Sequence, residues 1–342
     1  MFNSIKDFPN QIDESFQIID ELYEKNSLRF KKDFEDIDSV LISGMGGSAI
    51  GAELVQTILL NNIKVPIVIN RSTDVPGWVN KRTLVILSSY SGNTYETLES
   101  FSRVVSKTDK IISISSNSSS PLIEKSNNYK YINIIIPLNL QPRCALGYSS
   151  VIIALLLMKM DLVNNPDNIN TQFRVLENNL KENLNNYCDK GLYLSKKLQN
   201  YIPIIYGTKN YSYIAALRFK NQLQENAKIF AFSNHIPEIN HNEIESWRTD
   251  VKDFCIIWFK DPYSHILTNQ SIDITNQFLD DLKIRQIVID LGTDNFFLED
   301  SLVKLYQLIH LLDWTSYYLA LLNNVNPSSI DNIEHIKRSI KR

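Results

Sequence analysis

The chain has 342 residues, enough for two domains of ordinary size, and its hydrophobic fraction of 44% with 21% charged residues is that of a folded globular protein rather than a disordered or fibrous one. Thirty-five basic against 38 acidic residues leave a net charge of −3, so no overall basic field draws nucleic acid; only Lys337, Arg338, Lys341 and Arg342 form a local basic cluster. Cys144, Cys188 and Cys255 are three in number and far apart, with no C-x-x-C spacing, as reduced thiols in a cytoplasmic protein would be.

In chain order, the opening MFNSIKDFPNQIDESF carries acidic residues and no apolar core of leader length, and residues 1–37 read as a helical segment. Ser39 to Ser43 reads as a buried strand, followed by the turn Gly44-Met45-Gly46-Gly47-Ser48 and a helix from Ala49 to Leu60. Further strands are predicted at Pro66 to Asn70, Thr83 to Ser88, Lys110 to Ser116 and Tyr131 to Pro137, with a helix from Asn93 to Ser106. Pro142 to Val163 has helical spacing, but its most apolar run, Val151 to Met158, is too short to span a bilayer. Asn164 to Asn170 reads as a loop and Gln172 to Leu198 as one helix, together a linker.

The alternation then restarts. Strands are predicted at Ile202 to Gly207, Phe254 to Phe259 and Arg285 to Asp290. Helices are predicted at Tyr211 to Glu225, Ile272 to Leu282 and Leu302 to Leu322. Continuous apolar strands alternating with helices argue for α/β architecture, each half a parallel sheet with helices on both faces. The expected division is residues 1–163, a helical linker at 164–200, a second sheet domain at 201–300 and C-terminal helices at 301–342.

Two strand-to-helix loops carry the first functional signal. At Gly46-Gly47-Ser48 glycines let backbone N–H groups approach an anion, and the helix start adds its positive dipole end. The run is half of a G-x-G-x-x-G fingerprint, no acidic residue follows near the required spacing, and no Gly-Lys-Ser/Thr is present; both nucleotide readings are therefore weak. In Ser88-Ser89-Tyr90-Ser91-Gly92-Asn93-Thr94, the hydroxyls of Ser89, Ser91 and Thr94 gather before a helix, where neutral donors suit a phosphate, although such residues also serve as ordinary N-caps. Two such loops at successive strand ends favour a ligand at the carboxyl edge of the sheet.

GGSAIG and SYSGNTYET resemble the two phosphate-binding segments of sugar-isomerase (SIS) domains. That resemblance implies a phosphosugar held by Gly47, Ser48, Ser89, Ser91 and Thr94. Downstream, Pro142-Arg143-Cys144-Ala145-Leu146-Gly147-Tyr148, Glu225-Asn226-Ala227-Lys228 and the segment from Pro237 to Trp247, PEINHNEIESW, extend it. Aldose–ketose exchange needs a group to open the sugar ring and a base to carry a proton between C1 and C2 through a cis-enediol; a carboxylate and an imidazole suit those tasks.

The whole set is similar to the bifunctional phosphoglucose/phosphomannose isomerases, which interconvert glucose 6-phosphate or mannose 6-phosphate with fructose 6-phosphate. The resemblance implies Glu225 as proton carrier and His241 as ring opener, reaching the site from the neighbouring subunit of a homodimer. It puts Arg143 near the sugar oxygens and Lys337 in the active site. The family's threonine after the proline of an NPSS-like segment is Ser328 here, a departure that bears on mannose selectivity. No cofactor is implied, and His235 and His241 lack a metal-binding spacing. The competing readings are a non-catalytic sugar-phosphate sensor, which would usually carry a basic helix-turn-helix domain, and an amidotransferase, which would need an N-terminal cysteine nucleophile. The expected protein is cytoplasmic, with a phosphosugar as its partner and neither nucleic acid nor membrane.

Overall fold

The computed structural model describes residues 1–248 and 251–340; Lys341 and Arg342 of the basic cluster lie outside the described residues. The chain divides into two compact units, one of Lys6–Asn178 and one of Met1–Ile5 with Asn179–Arg342. They are called here the first and the second unit.

A short helix α1 (Phe2–Lys6) leads into α2 (Phe8–Asp33), the long helix expected near the N-terminus. The first unit then builds β1 (Ser39–Gly44), α3 (Gly46–Ile58), β2 (Ile67–Asn70), β3 (Thr83–Ser88), α4 (Tyr95–Val104), β4 (Ile111–Ser115), α5 (Pro121–Asn128) and β5 (Ile132–Ile135). The strands form a five-stranded sheet of order β2-β1-β3-β4-β5. Every pairing is parallel, with Ser43 opposite Leu87 and Gly44 opposite Ser88. All residues of β1, β3 and β4 are buried, as a parallel sheet covered on both faces requires. A core of Leu41, Val85, Leu87, Phe101, Val104 and Leu122 packs between the sheet and α4 and α5.

The segment with helical spacing is a 3₁₀ turn, Pro142–Cys144, followed by α6 (Leu146–Lys159), whose residues are buried through Leu157. The expected loop at Asn164 to Asn170 is shorter than the sequence suggested, because α7 (Pro166–Glu182) starts at the proline itself. A proline in the first turn costs a helix nothing, since its missing N–H has no partner there anyway. The expected single helix to Leu198 is two, because the backbone leaves helical angles at Asn183 before α8 (Leu184–Leu198).

In the second unit β6 (Ile202–Thr208), α9 (Tyr213–Gln222), β7 (Phe232–Ile236), β8 (Phe254–Lys260), α10 (Ile266–Asp281), β9 (Arg285–Asp290), α11 (Ser301–Leu322) and α12 (Asp331–Ile340) follow in order. Four parallel strands take the order β7-β6-β8-β9. Strand β7 (FSNHI) was missed from sequence because it lies at the sheet edge and is largely polar. Helix α10 begins earlier than its apolar pattern suggested, because His265 Nδ1 accepts the Leu267 N–H at 3.2 Å and caps it. Trp258, Tyr206, Ile256 and Leu279 centre the core. Among the described residues no helix is long and apolar enough to cross a membrane.

Candidate active site

In the first unit, β1 and β3 are neighbours, so their carboxyl ends present both glycine- and serine-rich loops side by side. Helix α3 starts just after Met45, and no side chain caps it, which leaves its N-terminus as an anion-facing end. Ser48 is buried in its first turn. Gly47 stands against the arginine turn: a Cβ there would lie 2.6 Å from the Pro142 carbonyl oxygen and 3.3 Å from Arg143 Cα. Only glycine lets the two backbones come this close.

In the second loop the hydroxyls bond within the loop rather than capping α4. Thr94 precedes α4 but makes no side-chain cap; its Oγ1 instead lies 2.8 Å from Ser89 Oγ. Ser89 is buried, Thr94 half-buried and Ser91 exposed, with Ser91 Oγ accepting the Asn93 N–H at 3.3 Å. Gly92 has φ +63°, and a Cβ there would meet Ser120 Oγ at 2.0 Å.

Two residues that the sequence reading passed over shape this site. The Tyr90 hydroxyl donates to the Pro137 carbonyl at 2.9 Å and accepts the Leu140 N–H at 2.8 Å, fixing the approach to the arginine turn. Burial raises its pKa, partly offset by hydrogen bonds from the Leu140 N–H and Ser116. Gln11 of α2 donates from Nε2 to the Cys144 carbonyl at 2.8 Å and accepts the Gly147 N–H on Oε1 at 3.0 Å, clamping the far side of that turn. Arg143 itself is only 4% exposed, which makes it no surface residue. A lone Gln on an N-terminal helix gives no signal in one sequence. A small cavity lined by Ser48, Ser88, Tyr90, Pro142, Ala145 and Ser149 lies beneath these loops.

Glu225, His241, Ser328 and Lys337 belong to the second unit. Glu225 is half-buried in a π-helical turn, Leu223–Ala227, that continues α9. Such a wide turn marks functional sites in many helices. It is pinned from beneath: Asn226 Nδ2 donates to Ser316 Oγ at 2.9 Å, and Gln222 Nε2 donates to Asp313 Oδ1 at 2.9 Å. Asp313 also pairs with Arg218 at 2.6 Å, a buried ion pair between α9 and α11. Lys228 ends the turn in the left-handed region and donates from Nζ to the Glu225 and Ser329 carbonyls. The structure thus brings the proton-carrier candidate to the Ser328–Ser329 segment.

His241 is exposed and closes a 3₁₀ turn, Glu238–His241, after β7. Two residues on, Glu243 accepts the Tyr206 hydroxyl at 2.5 Å and Asn234 Nδ2 at 2.7 Å, tying this turn to β6 and β7. Lys337 lies exposed on α12, a helix with no buried residue. Among the described residues no three His, Cys, Asp or Glu side chains gather as a metal site.

Over 348 aligned residues, 99% of this chain and 98% of the relative, the chain is 34% identical to the bifunctional phosphoglucose/phosphomannose isomerase of Caldicellulosiruptor bescii. The chain belongs to the bifunctional phosphoglucose/phosphomannose isomerase family. A second relative of that name, from Aquifex aeolicus, is 30% identical over 97% of this chain and 99% of its own. The profile of the bacterial phospho-glucose isomerase C-terminal SIS domain matches residues 189–340, and that of the SIS domain matches residues 33–154. The fold is shared with the C-terminal domain of glucosamine-fructose-6-phosphate aminotransferase from Francisella tularensis, at a TM-score of 0.72 and 16% identity, covering 96% of this chain and 97% of that one. The expected architecture of two parallel-sheet α/β halves of SIS type is borne out by both sheets and both profiles.

Proposed function

We propose that the chain is an aldose–ketose isomerase that interconverts glucose 6-phosphate, and mannose 6-phosphate, with fructose 6-phosphate. The observation that carries this reading is the near-full-length kinship with two relatives named for both activities. The α3 N-terminus with Gly47 and Ser48, and the hydroxyls of Ser89, Ser91 and Thr94, would grip the phosphate. Binding energy spent on that non-reacting group positions the sugar carbons.

His241 protonates the ring oxygen and accepts the hydroxyl proton from the anomeric carbon, which breaks the ring C–O bond and leaves the open-chain aldehyde. Glu225 removes the proton from C2, and the electron pair passes through the C1–C2 bond to the carbonyl oxygen, giving the anion of a cis-enediol. Arg143 would offset the negative charge that develops on the sugar oxygens, and Lys337 would add a second cation. Return of the proton to C1, with transfer of the O2 proton to O1, yields the ketose. Delivery to the opposite face of C2 gives the mannose epimer, and in this reading Ser328 bears on that choice.

The active species is a homodimer in this reading, with His241 supplied by the neighbouring subunit; its exposure at the end of a turn supports a role outside its own chain. The setting is the cytoplasm. The test is a coupled assay from fructose 6-phosphate with separate reporters for glucose 6-phosphate and mannose 6-phosphate, with EDTA present throughout. Formation of both products supports the reading. Binding of fructose 6-phosphate without turnover would replace it with a sugar-phosphate sensor.

A further inference from the structure

The two sheets share one strand order. In the first it runs β2-β1-β3-β4, and in the second β7-β6-β8-β9, all parallel. The loop after β6 therefore answers to the glycine-rich loop after β1, and the residue following β8 answers to the residue following β3. In the first sheet that residue is Ser89, a member of the proposed phosphate cradle. In the second it is Asp261.

Asp261 is only 1% exposed, and its carboxylate is surrounded by donors. Oδ1 accepts the N–H groups of Tyr263 at 3.1 Å and Ser264 at 2.9 Å, and the Ser264 hydroxyl at 3.0 Å. Oδ2 accepts the Thr208 hydroxyl and lies 3.1 Å from Ser212 Oγ, which also reaches the Phe259 carbonyl at 3.0 Å. An aspartate turning back onto the two residues after it is a common local motif and explains the Tyr263 and Ser264 bonds. It does not explain Thr208 and Ser212, which come from the end of β6 and the start of α9. Backbone N–H groups and hydroxyls converging from two adjacent strand ends onto one anion are the donor set of a strand-end oxyanion cradle.

We propose that the Asp261 carboxylate is a built-in anion filling the second sheet's strand-end cradle, so that the chain takes phosphate at the first sheet alone, and that removing it opens a second site for a tetrahedral oxyanion of the phosphate or sulfate class. The count of one in the native chain rests on the reading of the Ser48–Ser89 loops as the substrate-phosphate site. The filled cradle accounts for how one architecture, used twice in a chain, leaves a single phosphosugar site. A phosphate approaching the second sheet would meet a negative charge already held by these donors.

Equilibrium dialysis of radiolabelled inorganic phosphate against the full chain counts the sites directly. The native chain is expected to bind one phosphate, and Asp261→Ser, which installs the residue found after β3, is expected to bind two, the added one displaced by sulfate. Asp261→Asn keeps the shape of the plug and is expected to hold the native count. Two phosphates on the native chain would overturn the proposal without recourse to any variant. So would an unchanged count in Asp261→Ser, or a gained site in Asp261→Asn. No phosphate on the native chain with one on Asp261→Ser would sink the reading of the first cradle while upholding that of Asp261.

Discussion

The Tyr206 hydroxyl donates a 2.5 Å hydrogen bond to Glu243 Oε1, and Trp247 Nε1 in turn donates to Tyr206 at 3.3 Å. Glu243 follows His241 by two residues, so a contact rooted in the sheet core reaches the loop that bears the ring-opening candidate. Burial first, and the Glu243 carboxylate second, raise the Tyr206 pKa, which keeps the phenol protonated as the donor. Glu243→Ala is expected to lower kcat by at least tenfold with little change in KM, because the phosphate loops stand in the other unit. It should also cost about 1–3 kcal/mol, from two donors left without an acceptor. Steady-state kinetics and urea denaturation together check this. Loss of stability without loss of kcat would make Glu243 a purely structural residue.

The Arg218–Asp313 pair is buried at both ends and shared with Gln222. Removing the Asp313 carboxylate takes a counter-charge from a buried guanidinium. Asp313→Ala is expected to destabilise by about 3–5 kcal/mol. Asp313→Asn, which keeps an acceptor for Gln222, should cost less than the alanine change. Chemical denaturation of both variants decides the order.

His310 is fully buried, accepts the Trp314 indole N–H at 3.0 Å and has its pKa lowered to about 3 by burial and then by Arg218. Above pH 6.5 the imidazole is neutral in both the folded and unfolded states and has no effect on the balance. As pH falls from about 6.5 toward 3, the unfolded chain binds a proton that the folded one does not, so stability declines by up to about 1.4 kcal/mol per pH unit from this group. His310→Gln keeps an acceptor for Trp314 and removes the titration. Its melting temperature should fall less between pH 7 and pH 5 than that of the native chain; an identical fall would remove His310 from the account.

Gly47 offers a test of the phosphate cradle. A Cβ at this position meets the Pro142 carbonyl at 2.6 Å, so Gly47→Ala must push the arginine turn and the α3 N-terminus apart. An increase of at least tenfold in KM for fructose 6-phosphate is expected, and an unchanged KM would separate this turn from substrate binding.

The sheets were readable because most of their strands are continuous, largely apolar runs rich in β-branched residues, such as TLVILS at β3, as burial on both faces requires. Strand β7 was not, since an edge strand of sequence FSNHI is held by its pairing with β6 rather than by its own apolar character. The two proposed phosphate loops carry a local signal, glycine and hydroxyl residues at strand ends. The Gln11 clamp on the arginine turn and the Glu243 anchor of the His241 loop did not, because each is a pairing of residues distant in sequence, 133 residues apart from Gln11 to Cys144 and 37 from Tyr206 to Glu243. The π-helical geometry around Glu225 was equally hidden: the sequence ends a helix there, and only the bonds from Gln222 and Asn226 to α11 show what holds the wider turn.

The proton transfer assigned to Glu225 is the centre of the account, and Glu225→Gln tests it most directly. In the coupled assay from fructose 6-phosphate, kcat is expected to fall by about 10²–10⁴-fold, while fructose 6-phosphate still binds to the variant with near-native affinity. Deuterium from solvent should no longer enter C1 of recovered fructose 6-phosphate. Turnover and deuterium entry at native rates would contradict the assignment and require another base.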